Sequence, residues 1–137
     1  MAKGILRNIV GKYLDRDETV INTISQLRTK SLEMKTLLDR RDIDQFGKSI
    51  NEVWELNKIL DPGTTNNEIE KILDMISPHI YGAKLLGAGG GGFLFIVTKG
   101  AKQSHLVKSI LENNPPNNRA RFYDFDIDMG GLKINVL

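Results

Sequence analysis

The sequence predicts an α+β fold, with helices in its first half and a small antiparallel sheet in its second. Three observations lead there. Residues 1–76 repeat apolar side chains at three- and four-residue spacing. Two extended apolar segments then flank a glycine run at 87–92. After one further helical stretch, the last residues alternate apolar and polar positions. Helices followed by strands, rather than strict alternation of the two, is the α+β order. At 137 residues and 15.4 kDa the chain is one domain, with a compact folded surface of roughly 7,000 Å².

The elements follow in order. Ile5, Leu6, Ile9, Val10, Tyr13 and Leu14 form the stripe of a first helix, which Asp15-Arg16-Asp17-Glu18 interrupts. Asp17 is the expected cap of a second helix, whose face is Val20, Ile24, Leu27, Met34 and Leu38. Asp42 caps a third, with Ile43, Phe46, Ile50, Val53 and Leu60 inward and Trp54 beside them. Asp61-Pro62-Gly63 stops it. Asn67 with Glu70 resembles a capping box for a short fourth helix on Ile69, Ile72, Leu73 and Ile76, which Ser77-Pro78 ends. Residues 83–86 read as extended, and Phe93-Leu94-Phe95-Ile96-Val97 as a strand covered on both faces. Lys99-Gly100 turns into a fifth helix on Leu106, Val107, Ile110 and Leu111. The Asn/Pro-rich residues 113–118 are a loop, and strands are expected over Arg121–Ile127 and Leu132–Leu137.

Composition removes several function classes. With no cysteine there are no disulfides and no thiolate chemistry, and two histidines supply little for a His-rich metal site. No window approaches eighteen apolar residues and the N-terminus has no apolar signal run, so a cytoplasmic protein without membrane contact is expected. The net charge is +2. Residues 1–60 hold 11 Lys/Arg against 9 Asp/Glu, and residues 61–137 hold 8 of each, so no basic stripe for nucleic acid emerges.

The glycine run is the most informative feature. Five of the 13 glycines lie between 87 and 92. Each costs roughly 0.5–1 kcal/mol of backbone entropy relative to alanine, so the run needs a use. Bare N–H groups converging on an anion are one; close approach of another backbone or a ligand is the other. The Walker spacing is absent, since Phe93 follows Gly92. Gly87-x-Gly89-x-x-Gly92 matches the dinucleotide fingerprint in letters only, because a strand follows it in place of a helix. A flexible linker is the plain alternative, but apolar strands flank the run directly.

The string Lys84-Leu85-Leu86-Gly87-Ala88-Gly89-Gly90-Gly91-Gly92-Phe93 resembles the C-terminal glycine motif of the GHMP small-molecule kinases, which include galactokinase, homoserine kinase and mevalonate kinase. Trp54-Glu55-Leu56-Asn57-Lys58 with the segment after it resembles the heptose 7-phosphate kinase and fucokinase branch. Ala2–Leu6, Arg121–Phe125 and Gly130–Lys133 resemble the L-fucokinase half of bifunctional fucokinase/GDP-fucose pyrophosphorylases. The resemblance covers nearly the whole chain. It implies that residues 1–137 are a GHMP kinase C-terminal domain with a ferredoxin-like antiparallel sheet, and that the N-terminal ATP-binding domain, with its Pro-x3-Gly-Leu-Gly-Ser-Ser-Ala type loop, is not part of the sequence.

For function the resemblance implies part of an ATP- and Mg²⁺-dependent sugar kinase acting on a sugar hydroxyl, with L-fucose to fucose 1-phosphate as the leading reaction. A heptose phosphate and a related hexose remain alternatives. The loop Gly87, Ala88, Gly89, Gly90, Gly91 and Gly92 would form one wall of the interdomain site. Lys84, Trp54 and Lys58 are candidates for the sugar side. Their plain alternatives are a solvated strand lysine, a core tryptophan and a surface lysine. No catalytic residue and no metal ligand is expected in this chain, which alone should bind no ATP or Mg²⁺ and be inactive. Its partners would be the N-terminal kinase domain and the sugar, with self-association through the exposed interdomain face. A non-catalytic binding or regulatory module with the same fold is the other reading. Asp124, Asp126 and Asp128 alternate on one expected strand face with Arg119 and Arg121 as partners, which reads as a solvated face before a metal site. His79 and His105 lack a Ser/Asp partner and read as structural.

Overall fold

The computed structural model describes residues 2–87, 89–127 and 130. The order is α1 (Ala2–Leu14), α2 (Glu18–Asp39), α3 (Ile43–Leu60), a 3-10 turn at Pro62–Thr64, α4 (Asn67–Ile76), a second 3-10 turn at Ser77–His79, β1 (Ile80–Leu85), β2 (Leu94–Thr98) and α5 (Ala101–Asn113). This is the expected α+β class. Among the described residues the sheet has two antiparallel strands, paired from Leu85↔Leu94 to Ile80↔Thr98 with an irregularity between Ile80 and Gly82.

The helix junctions are local chemistry. Asp17 and Asp42 cap α2 and α3 as expected, their carboxylates accepting from Val20 N at 3.0 Å and Gln45 N at 3.2 Å. Each follows an arginine in the left-handed region, Arg16 at φ 62° and Arg41 at φ 58°. The turn at each site is closed by paired bonds: Asp17 N to Lys12 O and Arg16 N to Tyr13 O, then Asp42 N to Leu37 O and Arg41 N to Leu38 O. This is the Schellman closure of a helix C-terminus. The α4 cap differs from expectation by one residue. Asn66, not Asn67, accepts from Glu68 N and Ile69 N, both at 3.0 Å. Glu70 instead accepts from the Thr65 hydroxyl at 2.6 Å.

Packing rotates several expected faces. α2 buries Val20 and Thr23, leaving Ile24 and Leu38 exposed. α3 buries Gly47, Ser49, Ile50, Trp54 and Leu60, with Ile43 exposed and Trp54 at the centre. The reason is that α3 serves both α2 and β1, and the sheet contact fixes its rotation. α1 turns Ile5 inward and leaves Leu6, Val10, Tyr13 and Leu14 exposed, more than half of the expected stripe. α4, the sheet and α5 enclose Ile76, Ile80, Ala83 and Val107, with Leu73, Leu94, Ile96, Ile110 and Leu111 around them. β2 is covered less than expected, since only Val97 is buried.

The α3–β1 contact admits no side chain. A Cβ on Gly82 would overlap Gly47 O, and one on Gly47 would overlap Tyr81 Cβ. Beside this contact the Asn51 carboxamide bonds the edge of β1. Its Oδ1 accepts from Ala83 N at 2.9 Å and its Nδ2 donates to Tyr81 O at 3.3 Å. Asn51 thereby imitates a neighbouring strand along an edge that no described strand pairs with.

The strand expected over Arg121–Ile127 is not formed. Phe125 and Ile127 are 71% and 77% exposed, so among the described residues the alternating face lacks the cover that would hold it in register. The segment does lie beside β2: Tyr123 meets Phe93 edge-on at 5.1 Å, and Phe125 meets Phe95 at 6.1 Å. The strand expected over 132–137 and Asp128 lie outside the described residues. No described helix is long and apolar enough to cross a membrane. The accessible surface of 10177 Å² exceeds the roughly 7,000 Å² of a compact monomer of this mass.

Candidate functional site

The glycine run is the connection of the β1–β2 hairpin. Leu86 N donates to Phe93 O at 2.8 Å, closing the hairpin at its base. Every glycine described in the loop has positive φ: Gly87 at 80°, Gly89 at 85°, Gly90 at 76°, Gly91 at 154° and Gly92 at 107°. Side chains are strained there, so five glycines are the composition this path requires. Ala88 lies outside the described residues.

The loop has a docked part and an open part. Gly90 N donates to Thr64 O at 2.6 Å. Gly89 is buried, and a Cβ on it would overlap that same carbonyl. Gly87, Gly91 and Gly92 instead have open space where a Cβ would stand. A cavity of about 330 Å³ flanks the loop, lined by Leu6, Ile9, Asn57, Leu60, Thr64 and Gly87. Bare backbone beside an open cavity can receive a ligand or a partner's backbone at contact distance.

The seat of the loop is the 3-10 turn after α3, which the sequence shows only as a helix stop. Asp61 begins it and is buried, 7% exposed. Its Oδ1 accepts from Gly63 N at 2.8 Å, and its Oδ2 accepts from Asn8 Nδ2 of α1 at 2.5 Å. Thr64 is 1% exposed and donates its hydroxyl to Asn57 O at 3.2 Å. Asn8, Asp61 and Thr64 were not among the sequence candidates. The available signal was an Asp before Pro-Gly, a side chain that closes a turn on its own backbone.

The other candidates separate. Lys84 lies on β1, paired with Phe95 and three residues before the loop. It is half-buried without an ion-pair partner among the described residues, and this desolvation lowers its pKa from the usual lysine value. Trp54 is 3% exposed, with its Nε1–H buried and without a hydrogen-bond partner among the described residues. Its ring is packed in the core, the plainer of the two readings given for it above. Lys58 ties α3 to α4, with Nζ 2.6 Å from Glu55 and 3.7 Å from Glu70.

Among the described residues the remaining titratable groups form no second centre. Among the described residues no three His, Asp or Glu side chains come together as metal ligands. Arg121 donates to the Tyr123 hydroxyl at 2.7 Å and stacks over its ring, and it pairs with no aspartate among the described residues. His79 uses its carbonyl to accept from Lys99 N, and His105 is exposed on α5. The larger groove, about 520 Å³ between α2 and α3, is spanned by Lys30, 2.7 Å from Glu33 and 2.6 Å from Glu52.

Comparison with known proteins bears on this geometry. The family model described as GHMP kinases C terminal matches residues 34–117, which hold α3, the Asp61–Thr64 turn, the hairpin with its loop, and α5. L-fucokinase/L-fucose-1-P guanylyltransferase of Bacteroides fragilis is 36% identical over 134 residues, covering 98% of this chain and 14% of that protein. The bifunctional fucokinase/GDP-fucose pyrophosphorylase of Arabidopsis thaliana is 32% identical, covering 83% of this chain and 11% of that protein. D-glycero-alpha-D-manno-heptose 7-phosphate kinase of Campylobacter jejuni is 28% identical, covering 96% of this chain and 37% of that protein. The chain thus spans about a seventh of the first relative and little more than a third of the third. A match over more than half of the chain, containing the glycine-rich hairpin loop and the turn that seats it, makes this chain a member of the GHMP kinase C-terminal family.

Proposed function

We propose that residues 1–137 form the C-terminal domain of an ATP-dependent sugar kinase, with the 87–92 loop as one wall of a site completed by an N-terminal GHMP kinase domain. The observation that carries this reading is the two-sided loop: seated on Thr64 through Gly89 and Gly90, bare toward solvent at Gly87, Gly91 and Gly92. Phosphoryl transfer depends on positioning and on fixed dipoles, and a run of backbone seated at Gly89 and Gly90 offers both without side-chain reorganisation. Such a wall needs a second wall, so the isolated chain is expected to be inactive.

ATP and Mg²⁺ belong to the completed enzyme in this reading. The described residues offer bare loop N–H groups and Lys84 toward a phosphate, and no metal-ligand cluster. L-Fucose is the leading acceptor, because two relatives carry fucokinase in their names; the heptose 7-phosphate kinase names the alternative acceptor. The enzyme would act in the cytoplasm. The exposed face of α1, with Leu6, Val10, Tyr13 and Leu14, favours a docking role and supports the second reading, a non-catalytic module working through protein contact.

The test is reconstitution. The chain is combined with an N-terminal GHMP kinase domain, and ATP-dependent phosphorylation of L-fucose and of heptose 7-phosphate is followed. The expected result is turnover of one sugar by the pair and none by the chain alone. Turnover by the chain alone would refute the two-wall site. A stable pair that phosphorylates neither sugar would favour the binding module.

A further inference from the structure

We propose that Asn8 and Asp61 are positioning residues that set the pose of the glycine loop through the turn at Pro62–Thr64. Among the described residues the loop's docked part sits on Thr64, whose carbonyl accepts from Gly90 N at 2.6 Å and stands where a Cβ on Gly89 would be. That carbonyl points to the loop because the turn holds its shape. Asp61 shapes the turn: Oδ1 accepts from Gly63 N, Oδ2 accepts from Asn8 Nδ2, and Asp61 O accepts from Thr64 N at 3.0 Å.

The two oxygens therefore divide their work between the turn and α1. A carboxylate with both oxygens engaged has one orientation, so α1, the turn and the loop are held as one unit. Asn8 is 53 residues from Asp61 in sequence, and this tie brings α1 to the loop. The role in phosphoryl transfer rests on the kinase reading above. The hold on the loop does not, and it is measured without nucleotide or sugar.

The experiment is residue-resolved amide hydrogen exchange on the whole chain. In the wild type, Gly90 N–H is expected to exchange about tenfold or more slowly than Gly91 and Gly92, whose Cβ positions stand in open space. Asn8→Asp sets two carboxylates against each other, and Gly90 protection falls to the level of Gly92. Adding Asp61→Asn restores it: the new carboxamide keeps Oδ1 for Gly63 N and donates Nδ2 to the carboxylate now at position 8. Leu86 N–H, bonded to Phe93 O, stays protected in all three and reports that the hairpin is intact. If Asn8→Asp lowers the melting temperature too far, Asn8→Ala carries the same test.

Rescue by the swapped pair is the readout that a general loss of stability would not give. Gly90 protection unchanged in the folded single variant overturns the proposal. So does a folded double variant that fails to regain protection. Neither result bears on whether the completed enzyme phosphorylates a sugar, so the two readings fail separately.

Discussion

Two regions of this molecule use glycine for opposite reasons. At the α3–β1 contact, Gly47 and Gly82 are needed because no space exists for a Cβ. In the hairpin loop, Gly87, Gly91 and Gly92 have space, but their backbone is left-handed. The first region uses absent side chains to bring two backbones together inside the domain. The second uses them to leave backbone bare toward the outside. Gly89 belongs to both groups, with φ at 85° and Thr64 against its Cβ position. One amino acid thus serves packing in one place and presentation in another, and substitution separates the two.

The sharpest way to break this comparison is Gly82→Ala. Its new methyl meets Gly47 O, a backbone atom that cannot move alone. The expected loss is about 3 kcal/mol or more, read as a collapse of the urea midpoint. A midpoint close to wild type would show that α3 moves away from β1 freely. Gly89→Ala comes next, at about 2–3 kcal/mol for combined strain and clash, and it should also free the Gly90 amide. Asn51→Ala leaves Ala83 N and Tyr81 O without their partner and should cost about 1–3 kcal/mol, checked by thermal unfolding.

Gly91→Ala addresses the other use of glycine. Its methyl meets nothing, so the strain is confined to backbone at φ 154° and should cost about 1 kcal/mol. Activity of a reconstituted kinase should fall far more than stability does. A variant as active as wild type would remove the loop from the site. As the opposite control, Gly11→Ala on α1 faces open space in a helix and should stabilise by about 0.5–1 kcal/mol.

The smallest expected effect is a contrast in pH dependence. Burial lowers the pKa of Lys84, so its folded form binds protons less readily than the unfolded chain. Its destabilising contribution is present at low pH and disappears as pH rises through the folded value toward the ordinary 10.5. Lys30 has the reverse shift, raised by hydrogen bonds to Glu33 and Glu52. Its contribution is present below 10.5 and is lost as pH rises through the folded value. Removing the charge by Lys84→Met should flatten the first trend, and Lys30→Met the second, in urea midpoints followed upward from neutral pH. The same slope in both variants would contradict this assignment.

Several features were legible because they are local. Asp17 and Asp42 announce their helices by bonding backbone three residues away, and the structure keeps both caps. The glycine run is legible for the same reason, since positive φ is a property of a single residue. The faces of α2 and α3 were legible only in part. Spacing defines a stripe, but which edge of it is buried depends on what packs there, and Ile24, Leu38 and Ile43 ended outside. Arg121–Ile127 shows the limit clearly. Its alternation is real and its rings reach β2, yet it forms no strand, because pairing requires a cover that the sequence of the segment does not contain.

By itself the sequence determined the caps of α2 and α3, the stop after α3, the α+β order and the glycine-rich loop. These depend on interactions spanning a few residues, and their free energies are set within that span. The tertiary structure alone decided that Gly47 meets Gly82, that Asn51 stands in for a strand, and that Asn8 reaches Asp61 to seat the loop on Thr64. Each of these joins residues about 30 or more positions apart, where chain distance carries no information and only the packed core fixes which atoms come within bonding range.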